Sequence, residues 1–169
     1  MVSTAVVHVI GSTAFIVLIV FTIAHVTSTM KIMEKDLTRE YYEKIADSIS
    51  VQILYCLFKN SNLTLKMEYP VTVGYNKPYN IIIGSGEMIK SKYPFLTGLT
   101  SSNIYVVVIS TDNTIYAYRI IVDKSYNNKI IVLNKDPALF GSTTLTYINI
   151  TVLRDSIYID FIIKGVLYR

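Results

Sequence analysis

Residues 5–26 read AVVHVIGSTAFIVLIVFTIAHV, and nowhere in residues 1–30 is there a Lys, Arg, Asp or Glu. At about 1.5 Å of rise per residue, a helix from Ala5 to Val26 reaches across a bilayer core of roughly 30 Å. The first charge, Lys31, opens a charged amphipathic helical pattern, and nearly everything after residue 60 reads as β-strand. The chain therefore divides into a transmembrane helix over residues 1–30, an amphipathic helical stem over 31–60 and a β-sandwich domain over 61–169. The fold class expected is mostly β with a long N-terminal α-helix, an antiparallel, immunoglobulin-like β-sandwich head on that helix. A greasy helix, a polar stem and a β-rich head outline a membrane-tethered or filament-forming surface protein, not a soluble enzyme.

The apolar run is read as a retained anchor. A secretory signal carries a basic n-region, a short apolar core and a small-residue cleavage site. Here no base precedes the run, the run is longer than a typical signal core, and Ala24-His25-Val26 is a poor cleavage site. Gly11, Ser12, Thr13 and Thr22 place small groups inside it, where helices in lipid approach closely. Lys31, Lys35, Arg39 and Lys44 all follow the span, so the positive-inside rule alone would put the body in the cytoplasm. Two N-x-S/T sequons, Asn62-Leu63-Thr64 and Asn149-Ile150-Thr151, and a Tyr-rich β head point the other way. The expectation is a single-pass cell-membrane protein with its β-domain extracellular, and Asn62 and Asn149 as candidate N-glycosylation sites.

From Met30 to Phe58 the pattern is helical. Met33, Leu37, Tyr41, Ile45, Ile49, Ile53 and Leu57 recur every four residues, and no Pro or Gly lies between Ser12 and Phe58. Span and stem are thus expected to form one helix of about 50 residues, on the order of 75 Å long. Gly11, Leu37, Tyr41, Ile45, Ile49 and Ile53 are the candidates for helix packing or an oligomer interface. Two uses of the stripe stand side by side: packing on the β head, and packing against neighbouring subunits.

Lys59-Asn60-Ser61-Asn62 ends the helix with turn-forming residues, and period-2 alternation follows. Leu63, Leu65, Met67 and Tyr69 share one face, continued by Val71, Val73 and Tyr75 past Pro70. Further strands are expected at 79–83, 104–110, 114–122, 129–133, 145–153 and 157–163, with 166–168 extending the last. Gly84-Ser85-Gly86 and Asn127-Asn128 read as turns, Thr111-Asp112-Asn113 as a hairpin loop, and Asp136–Gly141 as a helical turn or loop. Seven or eight short strands with no interleaved helix are the pattern of an antiparallel β-sandwich.

Composition excludes more than it assigns. No His lies beyond residue 25, which removes Ser-His-Asp, Cys-His and Cys/His zinc arrangements from the head. The single Cys56, in an apolar helical stretch, reads as a small buried hydrophobe. The acids Glu68, Glu87, Asp112, Asp123, Asp136, Asp155 and Asp160 show no catalytic or calcium-binding spacing. Net charge is +4, but the bases are scattered, unlike a nucleic-acid footprint. No enzyme activity, catalytic residue, cofactor, metal, nucleic acid or small-molecule substrate is expected.

Val2-Ser3-Thr4-Ala5 leads directly into the long hydrophobic helix, then the polar stem and the sandwich. This architecture is similar to the archaeal type IV pilin-like superfamily, and most like the archaellum accessory (stator) components F and G. The resemblance covers the whole chain as architecture and rests on no specific motif. It implies a helix held in the membrane, a stem across the pseudoperiplasm, and a head that binds the surface-layer protein or other filament-machine components through strand edges and exposed Tyr. It also implies a homo-oligomer or hetero-oligomer. No Lys, Arg or Gly precedes residue 11, so with Met1 as the start no prepilin leader is expected to be removed, which favours a retained accessory over a filament subunit. A pilin-type subunit and a tethered extracellular binding module are the alternatives.

Overall fold

The computed structural model describes residues 3–67, 69–73, 77–142 and 145–164. Helix α1 runs from Thr4 to Lys59 (56 residues) without a break, as the absence of Pro and of any Gly beyond Gly11 allows. It ends where Asn60 takes a left-handed φ of 50°. The Asn60 N–H tightens the last turn onto the Leu57 carbonyl, and Lys129 Nζ donates to Asn60 Oδ1 at 2.9 Å. The chain forms two compact units, Met1–Leu37 and Thr38–Arg169. The first is helix alone from Thr4 onward; the second holds the rest of α1 and all the strands.

Within the second unit the strands make two sheets. In one, β3 (Lys77–Ser85), β4 (Asn103–Ser110) and β5 (Tyr116–Asp123) form an antiparallel meander. The outer edge of β3 takes β2 (Thr72–Val73) and β7 (Ala138–Gly141). The other sheet has the order β1 (Leu63–Met67), β8 (Leu145–Val152), β9 (Ser156–Lys164), β6 (Ile130–Leu133). In it β6 runs parallel to β9 and the remaining pairs are antiparallel. A short helix, α2 (Gly86–Lys92), follows β3.

Both faces of the β3–β4 pair are covered. Ile81, Ile83, Val106 and Val108 face the main core, shared with Ile148 and Ile150 of β8, Ile157 and Ile159 of β9, and the buried side of α1. Ile82, Tyr105, Val107 and Ile109 face a second core closed by Ile89 of α2 and by Leu96 and Leu99. This is why β4 is buried at every position but its first and does not alternate.

The helical stripe departs from its expected course. A step of four residues overshoots a full turn by about 40°, so an every-fourth row winds around the helix. Leu37 and Tyr41 lie about 120° and 80° away from Ile49, and both are exposed, at 57% and 54%. Within the part of α1 that belongs to the second unit, the residues within about 40° of Ile49 are Thr38, Tyr42, Ile45, Ile53 and Cys56, and all are buried.

Other expectations need correction as well. Helix makes up about 44% and strand about 34%, so the protein is mixed rather than mostly β. An interleaved helix does occur, in α2. Gly84-Ser85-Gly86 is no turn: Gly84 pairs with Tyr105 inside the sheet, and Gly86 opens α2. A Cβ on Gly84 would stand 2.6 Å from Asp136 Oδ1 and 2.7 Å from Pro137 Cβ, so glycine serves a close approach. The Asp136–Gly141 stretch yields a strand, β7, because Ala138 and Phe140 point into the main core. Loops occur at Asn113 and Asn127-Asn128 as expected, and there the asparagines take left-handed backbone. The proposed facing of Tyr75, and the extension over 166–168, lie outside the described residues.

Truncating the buried face is therefore expected to cost far more than truncating the winding row. Ile49→Ala should lose about 2–5 kcal/mol and Leu37→Ala less than about 0.5 kcal/mol, read by denaturant unfolding of the full chain in detergent. In the same assay Gly84→Ala should cost about 1–3 kcal/mol by overpacking.

Candidate functional site

The apolar part of α1 has no buried side. Val9, Phe15, Leu18 and Phe21 point in different directions around the axis and are each exposed by more than 60%. Its hydroxyls fold back onto the helix: Ser12 and Thr13 donate to the Val9 carbonyl, Thr22 to Leu18 and Thr27 to Ile23, at 2.8–3.0 Å. A hydroxyl that bonds its own backbone can enter hydrocarbon without stranding a donor. By length and composition this helix is able to cross a membrane. Gly11 sits here, with nothing within 4 Å of a Cβ built on it.

Lower on the same helix, Ile45, Ile49 and Ile53 are brought together inside the main core of the second unit, while Tyr41 remains on the surface. An ion-pair chain secures this half of α1 to the sheet. Arg119 of β5 donates from Nε to Asp47 and from Nη2 to Glu43 Oε2 at 3.4 Å, and Glu43 also pairs with Arg39 at 3.6 Å. The Asp47 hydrogen bond holds the guanidinium pKa above its ordinary value.

Beside it lies a buried tyrosine pair. The rings of Tyr42 and Tyr79 are 5.5 Å apart, and both side chains are fully buried. Tyr79 donates to the Pro70 carbonyl at 2.6 Å, whereas the Tyr42 hydroxyl has no hydrogen-bond partner among the described residues. Burial, helped by the Asp112 carboxylate, pushes the Tyr42 phenol up to about 12. Burial, with Tyr42 and Tyr69 nearby, does the same for Tyr79. Cys56 is buried in the same core, which raises its thiol pKa.

The carboxylates of the head serve as local braces. Asp136 accepts from Ser85 N–H and Oγ at 2.8 and 2.7 Å. Asp112 accepts from Ser110 Oγ and from Thr114, Asp123 from the Ser125 N–H, and Asp160 from Asn134 Nδ2. Among the described residues no group of three or more His, Cys, Asp or Glu is placed to hold a metal. Glu68 lies outside the described residues.

The β1-β8-β9-β6 sheet turns one face away from the core. Register aligns Lys66, Tyr147 and Ile162 in one row, Thr64, Asn149 and Asp160 in the next, and Thr151, Tyr158 and Val132 in a third. Tyr158, Leu153 and Ile130 are exposed there at 43%, 52% and 63%. A shallow groove of about 620 Å³ runs past Val132, Asn134, Thr151, Leu153 and Tyr158. The two sequons meet in this sheet: Asn62 Oδ1 accepts the Val152 N–H at 2.9 Å, and Thr64 lies opposite Asn149.

Reading an every-fourth row missed Tyr42, one position from Tyr41; a 3.6-residue period would have found it. No sequence signal announces Arg119, whose partners lie more than 70 residues away. Compared with known proteins, the chain matches no family model, no curated protein and no solved structure.

Three outcomes are expected. The unfolded chain loses its phenolic protons near pH 10, while Tyr42 and Tyr79 keep theirs to about 12. The native state thus binds more protons between those values. Stability is full below pH 10 and falls as pH rises toward 12, by roughly 1 kcal/mol per phenol at pH 11, measurable by unfolding at pH 8 and pH 11. Tyr42→Phe should be neutral or stabilising at pH 8, because it deletes a buried hydroxyl without a protein partner, while Tyr79→Phe should cost about 1 kcal/mol. A double-mutant cycle on Arg119 and Asp47 should give a coupling of about 0.5–1 kcal/mol that shrinks with added salt, both groups being partly exposed.

Proposed function

We propose that this protein is a non-enzymatic, membrane-anchored interaction module of a cell-surface assembly. The observation that carries the reading is the two-fold character of α1. Its first half is apolar on every side, with the hydroxyls of Ser12, Thr13, Thr22 and Thr27 bonded to the helix's own carbonyls, as a lipid-facing segment requires. Its second half supplies Ile45, Ile49 and Ile53 to the core of a β domain. One uninterrupted helix with one end suited to lipid and the other built into a β head is the plan of a pilin-like subunit, which supports the archaeal type IV pilin-like resemblance. Within that class we favour an archaellum accessory, stator-like role: the head, outside the cell, holds the surface-layer protein or a partner head through the exposed face of the β1-β8-β9-β6 sheet. The brace roles of the head's carboxylates support a binding function over a catalytic one.

A filament subunit is the second reading, favoured by the exposed Leu37 and Tyr41, which leave one side of the helix open for a neighbour. Electron microscopy of the full-length protein from native membranes, with intact-mass analysis of the same sample, separates the two. An accessory anchor stays in the membrane pellet through high-salt and alkaline washing, is released only by detergent, and shows short assemblies or none. Long filaments carrying a trimmed N-terminus would replace the anchor with a pilin, and release by alkaline washing alone would remove the membrane from the function.

A further inference from the structure

We infer that Asn62 is the N-glycan acceptor of this protein and that Asn149, which carries an equally valid sequon, is not. The inference rests on the reading that the β domain lies outside the cell. In sequence the two sites are equivalent, Asn62-Leu63-Thr64 and Asn149-Ile150-Thr151. The fold makes them antiparallel partners, with Leu63 opposite Ile150 and Thr64 opposite Asn149. Their surroundings then differ in every respect that transfer depends on.

Asn62 is exposed and precedes the first strand residue. Its carboxamide oxygen is engaged by the Val152 N–H, and the planar amide directs Nδ2 away from that contact. Thr64, the hydroxyl residue of the sequon, is exposed on β1, an edge strand that pairs on one side only, with β8. Freeing this sequon breaks one ladder. Asn149 sits in the middle of β8, between Thr64 of β1 and Asp160 of β9, and its Oδ1 is fully enclosed without a hydrogen-bond partner among the described residues. Freeing it breaks two ladders at the centre of a sheet.

Order of synthesis acts in the same direction. The strand that covers Asn62-Leu63-Thr64 lies roughly 85 residues later, so at about 5–20 residues per second the first sequon waits unpaired for about 4–17 s. The second emerges with β1 already made and with β9 a few residues behind it, and antiparallel hairpins close in about 1–10 μs. The transfer itself is a substitution with no redox change. The Asn62 amide nitrogen attacks the anomeric carbon of a polyprenyl-phosphate-linked oligosaccharide. The nitrogen–carbon bond forms as the carbon–oxygen bond to phosphate breaks, the polyprenyl phosphate leaves with that electron pair, and the nitrogen gives up one proton.

The test is intact-mass analysis of the full-length protein from its native membranes, together with protease treatment of intact cells to report where the head lies. The expected result is a glycan mass that is lost in Asn62→Gln and in Thr64→Ala, kept in Thr64→Ser, and unchanged in Asn149→Gln. Thr64→Ala leaves the Asn62–Val152 contact in place, so its loss of glycan cannot be assigned to a disturbed fold at Asn62. Glycan on Asn149, alone or to an equal extent, overturns the inference. An unmodified chain whose head is cut on intact cells overturns it while leaving the surface reading standing. An unmodified chain whose head is protected on intact cells overturns both.

Discussion

Burial of one side of the second half of α1 is the contact on which the β domain depends. Tyr42, Ile45, Ile49, Ile53 and Cys56 form a single apolar face, and residues of both sheets share the core it enters. Neither sheet is self-sufficient. Only one face of the β1-β8-β9-β6 sheet reaches the core, and α2 with its following loop covers just the other side of β3 and β4. Remove the helix, and Ile81, Ile83, Val106 and Val108 lose a layer that no other described segment replaces. At roughly 25 cal/mol per Å² of apolar surface, such a face outweighs any surface ion pair in the structure. The Arg119–Asp47–Glu43 chain is accordingly better understood as fixing the helix's rotation and register on β5 than as holding it there.

That constraint explains why the helix has two unlike halves and no break between them. A helix that must fit a packed core cannot shift by one residue without turning its buried face by about 100°. Pro and Gly are the residues that break or weaken a helix interior. The chain has neither from Ser12 to Lys59, and the change is made by composition alone, from Val, Ile and Phe on all sides to a stripe of Ile and Tyr among Lys, Glu and Asp. The hydroxyls of Ser12, Thr13, Thr22 and Thr27 fit the same logic, because each has a carbonyl of its own helix as its partner.

Much of this was legible in the residues. The uncharged N-terminal run, the end of the helix at Asn60, the Asn-marked turns and most strands follow from local patterns that the backbone obeys. What was not legible depends on contacts distant in sequence. Gly84 reads as a turn former until Asp136 and Pro137 are seen against it. Residues 138–141 carry too few positions for a period and become a strand only because β3 offers an edge. Helix α2, seven residues long, is too short to show a period and is held by Ile89 in the second core. The every-fourth row from Met33 to Leu57 was a true feature of the sequence with a wrong geometric meaning, since only the 3.6-residue face stays on one side of the helix.

The outer face of the β1-β8-β9-β6 sheet is where these arguments converge on function. A sheet that protects itself from edge-to-edge association does so with charges, bulges or short edge strands, and its two edges here, β1 and β6, are five and four residues long. Its open side is different. Tyr158, Ile162, Ile130 and Leu153 stand exposed among Thr and Asn, with Lys66 and Asp160 as its charges at the register positions shown. Under the binding role proposed above, these exposed apolar side chains are the groups a partner would cover. A glycan at Asn62 would stand at the β1 margin of this face, three strands away from Tyr158's neighbour Val132 on β6. Sugar at the β1 edge would shield that strand from pairing with another chain and leave the apolar β9–β6 side open. Under the binding role proposed above, a glycan on Asn62 would leave a partner the β9–β6 half of the face.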